Sequence, residues 1–516
     1  MQTLENYVEG KWVAGKEPQA ELVNPATEQV LARTSTNGID MKRALDHARS
    51  EGGPALRAMT FAERGALLEQ MSKAIYAKRE ELIAVAVANG GNTRSDAKFD
   101  IDGATGTLMA YAELGRELGE RTLLVDGEPF DIAGSRLQGW HVLSPRHGVA
   151  VHIGAYNFPA WGWAEKAATA LLAGMPVLTK PATATSLLSW HTVKLVVEAN
   201  ILPPGALGLL CGSAGDLLDH LEWQDVVAFT GSSDTARSIR GRERLLDQAV
   251  RVNVEADSLN AALLLPGASD SAFDAYIRDV HRDMTQKTGQ KCTAIRRVIV
   301  PDSDVPRVRE ALSERLSRVC VGNPASDGVD MGPVATAAQR TSVREGVQKL
   351  LAQVRVAWGD PDKVEPVGAP EGKGFFVPPL LLEADDALAA TSVHAQEVFG
   401  PVATLLPYTG SAAGAASVVR AGEGGLVCSV YGDERRLLGE LIALLAPWHG
   451  RLVVVDGKVA DKSIAPGSVL PNLVHGGPGR AGGGEELGGP RGMALYQQRT
   501  AVQGNGPLIG RLIGAS

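Results

Sequence analysis

The segment 288–297 (TGQKCTAIRR) places a cysteine, Cys292, shortly after a glycine and between basic residues. A thiolate attacks a carbonyl carbon, and a free cysteine titrates at about 8.5, so nearby cations or backbone N–H donors would enlarge its reactive fraction at neutral pH. The alternative is a buried packing cysteine, which is the commoner state of this residue type. Cys292 is therefore a candidate nucleophile that needs partners.

Two other polar residues stand where the partners of a nucleophile are expected. Glu255 ends an alternating run at 251–255, a predicted strand, and its carboxylate could serve as a general base. Asn157 lies between a predicted strand and a predicted helix, where its amide could donate a hydrogen bond to an oxyanion. Each has an ordinary alternative, because a lone glutamate is more often solvated and Asn-x-Pro sequences often begin a turn.

Three further residues suit a nucleotide. Lys180 ends a predicted strand, where its ammonium group could hold a ribose or a phosphate. Gly231 joins a strand to a helix whose first N–H groups could bind a pyrophosphate. Glu397 could accept hydroxyl hydrogens from a sugar. None of these signals is specific alone, since the Gly231 turn is neither a complete G-x-G-x-x-G fingerprint nor a G-x-x-x-x-G-K-[ST] loop.

These residues fall at the ends of elements in a repeating pattern of strands and helices. Apolar runs alternate with amphipathic stretches, and the runs lie at 148–154, 176–180, 208–211 and 225–230. Helices are predicted over 61–89, 186–199 and 216–221. Successive units of this length predict a parallel, doubly wound sheet that binds ligands at the carboxyl ends of its strands.

The rest of the chain predicts a second α/β domain and an arm. Residues 259–474 again mix helices with apolar strands, while 121–141 alternate enough to predict an extended arm or hairpin. The glycines of 476–492 indicate either a functional loop or a flexible linker.

Composition narrows the class of protein. A chain of 516 residues exceeds the length of about 250–300 at which one core stops growing, so two or more domains are expected. A net charge of −8 argues against nucleic acid or an anionic membrane as a partner. The four cysteines are far apart, so we expect no metal site and a reducing, cytoplasmic location. Neither a signal peptide nor a membrane-spanning apolar run is recognisable.

Taken together, the motifs resemble those of the aldehyde dehydrogenase superfamily, in the same order along nearly the whole chain. The family's Asn-Phe-Pro segment falls on Asn157, its general base on Glu255 and its Gly-Gln-x-Cys nucleophile on Cys292. Its cofactor motifs are the Lys-Pro strand, the Phe-Thr-Gly-Ser turn and the Glu-x-Phe-Gly-Pro loop, and they fall on Lys180, Gly231, Ser232, Glu397 and Phe399.

The resemblance implies an architecture. It consists of a Rossmann-like parallel-sheet cofactor domain, an α/β catalytic domain and a small oligomerisation arm. We expect the cofactor domain at residues 1–120 and 146–258, the catalytic domain at 259–485, and the arm at 121–145 and 486–516. The arm implies a homodimer or a higher homo-oligomer.

The resemblance also implies a reaction in which an aldehyde becomes a carboxylic acid. Cys292 would attack the aldehyde, the Asn157 amide and the Cys292 backbone N–H would hold the oxyanion, and Glu255 would activate water for hydrolysis of the thioester. Lys180, Thr183 and Ser232 would face the adenosine ribose and its phosphate, and Glu397 the nicotinamide ribose.

A narrower resemblance concerns the substrate and the cofactor. Residues 253–260, 289–297, 474–489 and 498–504 are similar to dehydrogenases of aromatic-compound degradation that act on CoA-linked semialdehydes, such as 3,4-dehydroadipyl-CoA semialdehyde. The family's usual acid three residues after the cofactor lysine, which excludes a 2′-phosphate, is Thr183 here, so NADP is the expected cofactor.

Departures from the family pattern leave some positions open. The usual glycines are replaced at Ala236 and at Asp257-Ser258. Glu165 stands where many relatives have an aromatic residue, and it is either a second carboxylate near the substrate channel or, the slightly preferred reading, a surface charge.

Two other functions compete with this one. In a CoA-acylating dehydrogenase free CoA would resolve the acyl-enzyme, but a base at Glu255 argues against it. A non-catalytic binding member of the fold is the other alternative, and the joint presence of Asn157, Glu255, Cys292 and Glu397 argues against that.

Overall fold

The computed structural model describes residues 2–132 and 136–514, and two large sheets with helices against both faces dominate it. The predicted α/β fold built on parallel strands is confirmed. Residues 133–135 and 515–516 of the expected arm lie outside the described residues. In the described part of the chain, no helix combines the length and the apolar character needed to cross a membrane.

The first sheet holds the repeating units of the sequence. Five of its strands are parallel, and their order across the sheet is Arg251–Glu255, Val226–Thr230, Ala150–Ile153, Val177–Lys180 and Leu207–Leu209. Two N-terminal strands complete it in antiparallel orientation, Asn6–Val8 and Lys11–Val13. Alternate residues face different cores, so that Ala150 packs on one side of the sheet and Val151 on the other.

The order of these strands creates a crevice. From Ala150–Ile153 the chain continues to the neighbour on one side, Val177–Lys180, and it later crosses to the neighbour on the other side, Val226–Thr230. In doubly wound sheets ligands bind where the strand order reverses, outside the carboxyl ends of the strands. Asn157 and Gly231 follow the two strands at this point.

The second sheet brings the nucleophile to the same junction. Its strands in spatial order are Arg355–Trp358, Leu380–Glu383, Val402–Tyr408, Ile295–Pro301, Asn260–Leu264, Gly425–Tyr431 and His449–Val455, all parallel except the first. The chain passes directly from Glu255, at the edge of the first sheet, into the inner strand Asn260–Leu264 of the second. Cys292 precedes the adjacent strand Ile295–Pro301, so Glu255 and Cys292 meet where the sheets adjoin.

Three smaller sheets are present in the described residues, and one of them forms the arm. Leu137–Pro145 pairs along its length with the C-terminal strand Gln497–Asn505, and Leu124–Val125 and Phe130–Asp131 pair with its other edge. The predicted extended arm is therefore present as an antiparallel sheet, while the domain boundaries stay predictions. The remaining sheets are Thr3–Leu4 with Val30–Thr34 and Ala20–Val23, and Val474–Gly476 with Glu485–Leu487.

Helices cover the sheets. In chain order they are Met41–His47, Gly53–Ala58, Phe61–Ala77, Arg79–Gly90, Arg94–Leu118, Trp161–Ala173, Ser186–Glu198, Ser233–Arg240, Glu243–Asp247, Asp270–Thr285, Val305–Leu316, Ala337–Leu351, Thr391–Ala395, Ala412–Arg420, Arg435–Leu445, Pro490–Met493 and Gly506–Leu512.

Two helix predictions need correction. The helix predicted over 61–89 is interrupted at Lys78, whose ψ of 21° breaks it into two. The helix predicted over 216–221 is only a 3₁₀ turn, Leu217–His220, because its buried leucines imitate helical spacing in a segment too short for an α-helix.

The helices Arg94–Leu118 and Trp161–Ala173 cross at a glycine, and this contact yields a stability prediction. A Cβ at Gly103 would lie 2.2 Å from the Trp161 ring, which is fixed by a 2.9 Å bond from Nε1 to Thr107. We expect Gly103→Ala to lower the free energy of unfolding by about 1–3 kcal/mol through overpacking.

Gly106→Ala, where nothing lies within 4 Å of the added Cβ, is the matched control. It should stabilise the protein by about 0.5–1 kcal/mol. Urea unfolding compares them, and equal effects would contradict the packing argument.

Candidate active site

The loop before Cys292 has an unusual backbone that fixes the position of the thiol. Lys287, Thr288 and Gly289 have successive positive φ angles of 52°, 56° and 67°. Non-glycine residues rarely adopt such angles, so surrounding contacts must hold them. The Thr288 hydroxyl donates to the Gly332 carbonyl at 2.9 Å. A Cβ at Gly289 would lie 2.2 Å from the Gly400 carbonyl oxygen, so this position requires glycine.

The basic residues that flank Cys292 donate hydrogen bonds to backbone carbonyls and to a carboxylate. In the part of the chain that the structure describes, none of them donates to the thiol. Lys291 is fully buried and its Nζ lies 2.6 Å from Asp283 Oδ1. Arg296 donates to the Gly289 and Gly400 carbonyls, and Arg297 to the Leu259 carbonyl. Both arginines lie in the strand Ile295–Pro301.

Asn260, which sequence reasoning missed, holds the loop that carries Cys292. The Asn260 amide donates to the Cys292 carbonyl at 2.8 Å and to the Ala294 carbonyl at 3.0 Å. Its side-chain oxygen accepts from the Ser258 hydroxyl and from the Val427 N–H. Asn260 therefore ties the nucleophile loop to two strands of the second sheet.

Three reactive groups meet at the junction of the sheets. One ligand-type atom each of Glu255, Cys292 and His475 lies within 4.8 Å of the others, and His475 Nε2 is 2.9 Å from Glu255 Oε2. Burial, and then the Glu255 carboxylate, raise the pKa of the Cys292 thiol well above its ordinary value. Burial alone would raise the pKa of Glu255, but the stronger combined effect of His475, Lys166 and the thiol lowers it to about 2.

All nine site residues proposed from the sequence line one cavity of about 620 Å³. They are Asn157, Lys180, Thr183, Gly231, Ser232, Glu255, Cys292, Glu397 and Phe399. A second cavity approaches Cys292 with apolar walls that include Phe158, Trp163 and Val469. Asn157, Glu255 and Cys292 line both cavities, so the two cavities adjoin at these residues.

The larger cavity has groups that suit a nucleotide. Glu397 has a buried carboxylate oxygen without a hydrogen-bond partner among the described residues, which suits a ligand hydroxyl. Burial raises the pKa of Glu397 to about 8. The loop that carries it is held by Arg480, whose guanidinium donates to the His394 and Ala395 carbonyls. Burial lowers the pKa of Lys180, whose side chain borders the same cavity.

The turn at Gly231 differs from a simple phosphate-binding helix start. The Ser232 hydroxyl accepts a hydrogen bond from the Thr235 N–H at 3.3 Å, and the Ser233 N–H donates to Asp257 at 3.1 Å. Two donors of the first turn are thus already engaged by side chains. Asp257 therefore occupies a backbone donor that an anion at this helix start could otherwise use.

A buried ionic cluster lies behind Glu255, and sequence reasoning missed most of it. Lys166 Nζ lies 2.8 Å from Glu486 Oε2 and 3.4 Å from Glu165 Oε1. The Asn253 amide donates to Glu486 Oε1 at 3.2 Å. Glu165 is only 8% exposed, so the preferred interpretation as a surface charge was wrong and the alternative near the substrate cavity holds.

The second cavity also has a polar part, which extends from Glu255 along the first sheet. In the parallel register Thr179 pairs with His152, and Thr230 pairs with Glu255, which directs their side chains to one face. Thr179 Oγ1, His152 Nδ1 and Thr230 Oγ1 are buried without a hydrogen-bond partner among the described residues. Buried polar atoms of this kind are normally satisfied by ordered water.

The fold, the strand junction and this set of side chains define an aldehyde-oxidising dehydrogenase. The chain belongs to the aldehyde dehydrogenase family, whose model matches residues 12–496. It is therefore an oxidoreductase that acts on aldehydes and uses a nicotinamide cofactor.

Particular relatives narrow the comparison. The chain is 46% identical over 478 residues to 3,4-dehydroadipyl-CoA semialdehyde dehydrogenase of Aromatoleum evansii, covering 92% of this chain and 93% of that protein. It is 27% identical to succinate-semialdehyde dehydrogenase [NADP(+)] of Escherichia coli, covering 78% and 80%. The NAD+ complex of aldehyde dehydrogenase from Bacillus cereus matches the fold with a TM-score of 0.84 at 24% identity, over 98% and 97% of the two chains.

The buried Glu165 yields a prediction about stability and pH. Burial, opposed by Lys166, raises its pKa to about 7, while an unfolded glutamate titrates at about 4.3. Between these values the folded protein holds a proton that the unfolded chain lacks, so Glu165 favours folding less as pH rises. We therefore compare the free energy of unfolding of Glu165→Gln with that of wild type. As pH rises from about 5 to about 8, this difference should shift by about 1–3 kcal/mol in favour of the variant.

Urea unfolding at both pH values tests this prediction. The pKa of about 7 already includes the effect of Lys166, so the comparison between the two pH values reports the net titration of Glu165. Glu310→Gln, on the exposed side of Val305–Leu316, is the control and should show no such change. A Glu165→Gln effect that is the same at both pH values would show that the carboxyl does not titrate in this window.

Proposed function

We propose that this protein oxidises CoA-linked semialdehydes to carboxylic acids with NADP, and that 3,4-dehydroadipyl-CoA semialdehyde is its substrate. The observation that carries the proposal is the meeting of two cavities at Asn157, Glu255 and Cys292. The 46% identity to a dehydrogenase of that name supports the choice of substrate. The apolar walls of the second cavity suit the carbon chain of such an aldehyde.

Cys292 supplies the nucleophile. The thiol first releases its proton to water, its sulfur then forms a bond to the aldehyde carbon, and the electron pair of the broken C=O π bond leaves the oxygen as the oxyanion of a thiohemiacetal. The Asn157 side-chain amide and the Cys292 backbone N–H are the donors proposed for this oxyanion, and one such donor is typically worth about 2.7–4 kcal/mol. The raised thiol pKa means that the resting sulfur carries its proton until substrate and cofactor are in place.

The cofactor cavity orients the hydride acceptor. When bound, the nicotinamide accepts the hydride that leaves the thiohemiacetal carbon. Glu397 is the proposed acceptor for ribose hydroxyls, and Phe399 borders the same part of the cavity. Lys180, Thr183, Gly231 and Ser232 line its other part, where the adenosine ribose and its phosphate are proposed to lie.

Glu255 is the proposed base for the hydrolytic half of the reaction. It takes a proton from water, whose oxygen attacks the thioester carbon, and the bond from carbon to the Cys292 sulfur breaks. The polar part of the second cavity, lined by Thr230, His152 and Thr179, supports this role, because its unsatisfied atoms can hold water next to the carboxylate. This water route also argues against free CoA as the resolving group.

The proposal extends to assembly and location. Gln497–Asn505 is the outer strand of the arm sheet, and an outer strand can pair with a second copy of the chain, which supports a homodimer. The arm would comprise residues 121–145 and 486–516, with the cofactor and catalytic domains bounded as the sequence predicts. Four free cysteines suit a reducing cytoplasm.

The division of roles between Cys292 and Glu255 yields a kinetic prediction. We expect Glu255→Gln to keep a rapid burst of reduced cofactor, because thiohemiacetal formation and hydride transfer precede hydrolysis. Steady turnover should fall by about 10²–10⁴-fold, since the base is missing only from the second half. Stopped-flow absorbance of the reduced cofactor measures both phases. Cys292→Ala is the control and should show neither, while equal loss of burst and turnover in Glu255→Gln would contradict the assignment.

The choice of NADP yields a second prediction, at Thr183. A carboxylate at this position would repel a 2′-phosphate, so we expect wild type to have the higher kcat/KM with NADP and Thr183→Glu to prefer NAD. The change in the ratio should be at least about tenfold, or about 1.4 kcal/mol. Thr183→Gln has nearly the same shape without charge and should change the ratio much less. A higher kcat/KM with NAD in wild type would overturn the NADP proposal.

A further inference from the structure

His475 reaches the catalytic centre from a short hairpin within the glycine-rich segment. Its strands, Val474–Gly476 and Glu485–Leu487, are antiparallel, and His475 stands directly opposite Glu486. Side chains that are directly opposite in such a pair project from the same face. Glu486 contacts Asn253, and His475 contacts Glu255. The hairpin therefore packs against two residues that lie on one face of the strand Arg251–Glu255.

The contact with Glu255 is buried on both sides. His475 is 4% exposed and Glu255 is 2% exposed, and Nε2 lies 2.9 Å from the carboxylate oxygen Oε2. A buried carboxylate without a partner is costly, so this contact helps to fix where the carboxylate rests. Because Glu255 is ionised, Nε2 carries hydrogen in either charge state of the ring, and the proton that can be lost is the one on Nδ1.

Charged groups from every neighbouring element face this imidazole. They are Glu255 on its strand, the Cys292 thiol in its loop, Glu165 and Lys166 on the helix Trp161–Ala173, and Glu486 across the hairpin. Burial lowers the pKa of His475, but Glu255 and the other carboxylates outweigh burial, so the net direction is upward.

We propose that His475 is a positioning residue that holds the Glu255 carboxylate beside Cys292, and that Glu255 becomes an effective base only after the imidazolium has lost its Nδ1 proton. This inference rests on the proposed role of Glu255 as the base. A neutral imidazole with its hydrogen on Nε2 still faces the carboxylate oxygen at 2.9 Å, so the orientation survives deprotonation. The charge that makes the carboxylate a poor proton acceptor is removed.

A dependence of turnover on pH follows. At acidic pH the imidazolium pairs with Glu255 and hydrolysis is slow, while at higher pH the neutral ring leaves a more basic carboxylate in place. Turnover therefore rises with pH through the titration of His475, at a midpoint above the ordinary histidine value of about 6.5. Burst formation does not require the Glu255 base, so it lacks this component.

Two substitutions at His475 separate its charge from its hydrogen bond. His475→Gln keeps an N–H donor but cannot titrate, so its steady turnover should lose the acidic limb that wild type shows. His475→Phe keeps a ring but has no donor, so it should retain the burst while steady turnover falls at least about tenfold. Both are measured by stopped-flow and steady-state kinetics from mildly acidic to mildly alkaline pH.

Alkylation of Cys292 by iodoacetamide, in enzyme without cofactor, gives a second readout. Below the titration midpoint of His475, removal of the imidazolium leaves the Glu255 charge uncompensated next to the thiol, so both variants should be alkylated at least about tenfold more slowly than wild type at mildly acidic pH. His449→Gln is the control, a buried histidine whose Nδ1 contacts the Leu445 carbonyl, and it should leave both profiles unchanged. His475→Asn is the second donor variant and should behave like His475→Gln.

The outcomes separate this inference from the function on which it rests. An acidic limb of turnover and an alkylation rate at mildly acidic pH that stay as in wild type in the glutamine and asparagine variants would overturn the role of His475. If Glu255→Gln nevertheless shows a burst without turnover, the proposed function stands alone. Normal turnover in Glu255→Gln would overturn both.

Discussion

The active site depends first on one buried guanidinium. Arg296 donates to the Gly289 carbonyl at 2.7 Å and to the Gly400 carbonyl at 2.6 Å, so it ties the Cys292 loop to the loop that carries Glu397. The loops also touch directly, because there is no room for a Cβ between Gly289 and Gly400. Burial lowers the pKa of Arg296, and its bonds to carbonyls offset part of the cost of placing a charge there. This tie sets the spacing between the nucleophile and the proposed cofactor anchor.

The parts of the site that lie at the ends of parallel strands could be predicted from the sequence. Lys180, Gly231 and Glu255 each end or follow an apolar run, and parallel strands bring their carboxyl ends to one edge. The periodicity needed for this inference is local, so neighbouring residues suffice to detect it. Cys292 was harder to place, because its loop has no periodic pattern. Its prediction as the nucleophile rests on the resemblance of its loop to a known motif.

The residues that escaped prediction share a physical cause. Lys166, His475 and Glu486 come from a helix and a hairpin about three hundred residues apart, and they meet only when the hairpin packs on the strand that holds Asn253 and Glu255. Glycine-rich sequence looks like a linker, since nothing local records that Gly482 and Gly484 leave space for the Val254 backbone at less than 2.5 Å from a Cβ. The available signal was that His475 and Glu486, two side chains capable of acid–base chemistry, stand in a segment rich in glycine. Both side chains are buried in the structure.

Charge balance around Glu255 connects these features to the chemistry. Glu165, Glu255 and Glu486 place three carboxyl groups near one lysine, Lys166, and one imidazole. Burial raises the pKa of the Cys292 thiol, and so does the negative charge that a thiolate would add to this group. The cluster can accept that charge most readily when Glu165 is protonated or His475 is charged. Conditions that favour the attacking thiolate therefore oppose a free Glu255 base, so the two halves of the reaction require different protonation states of the same cluster.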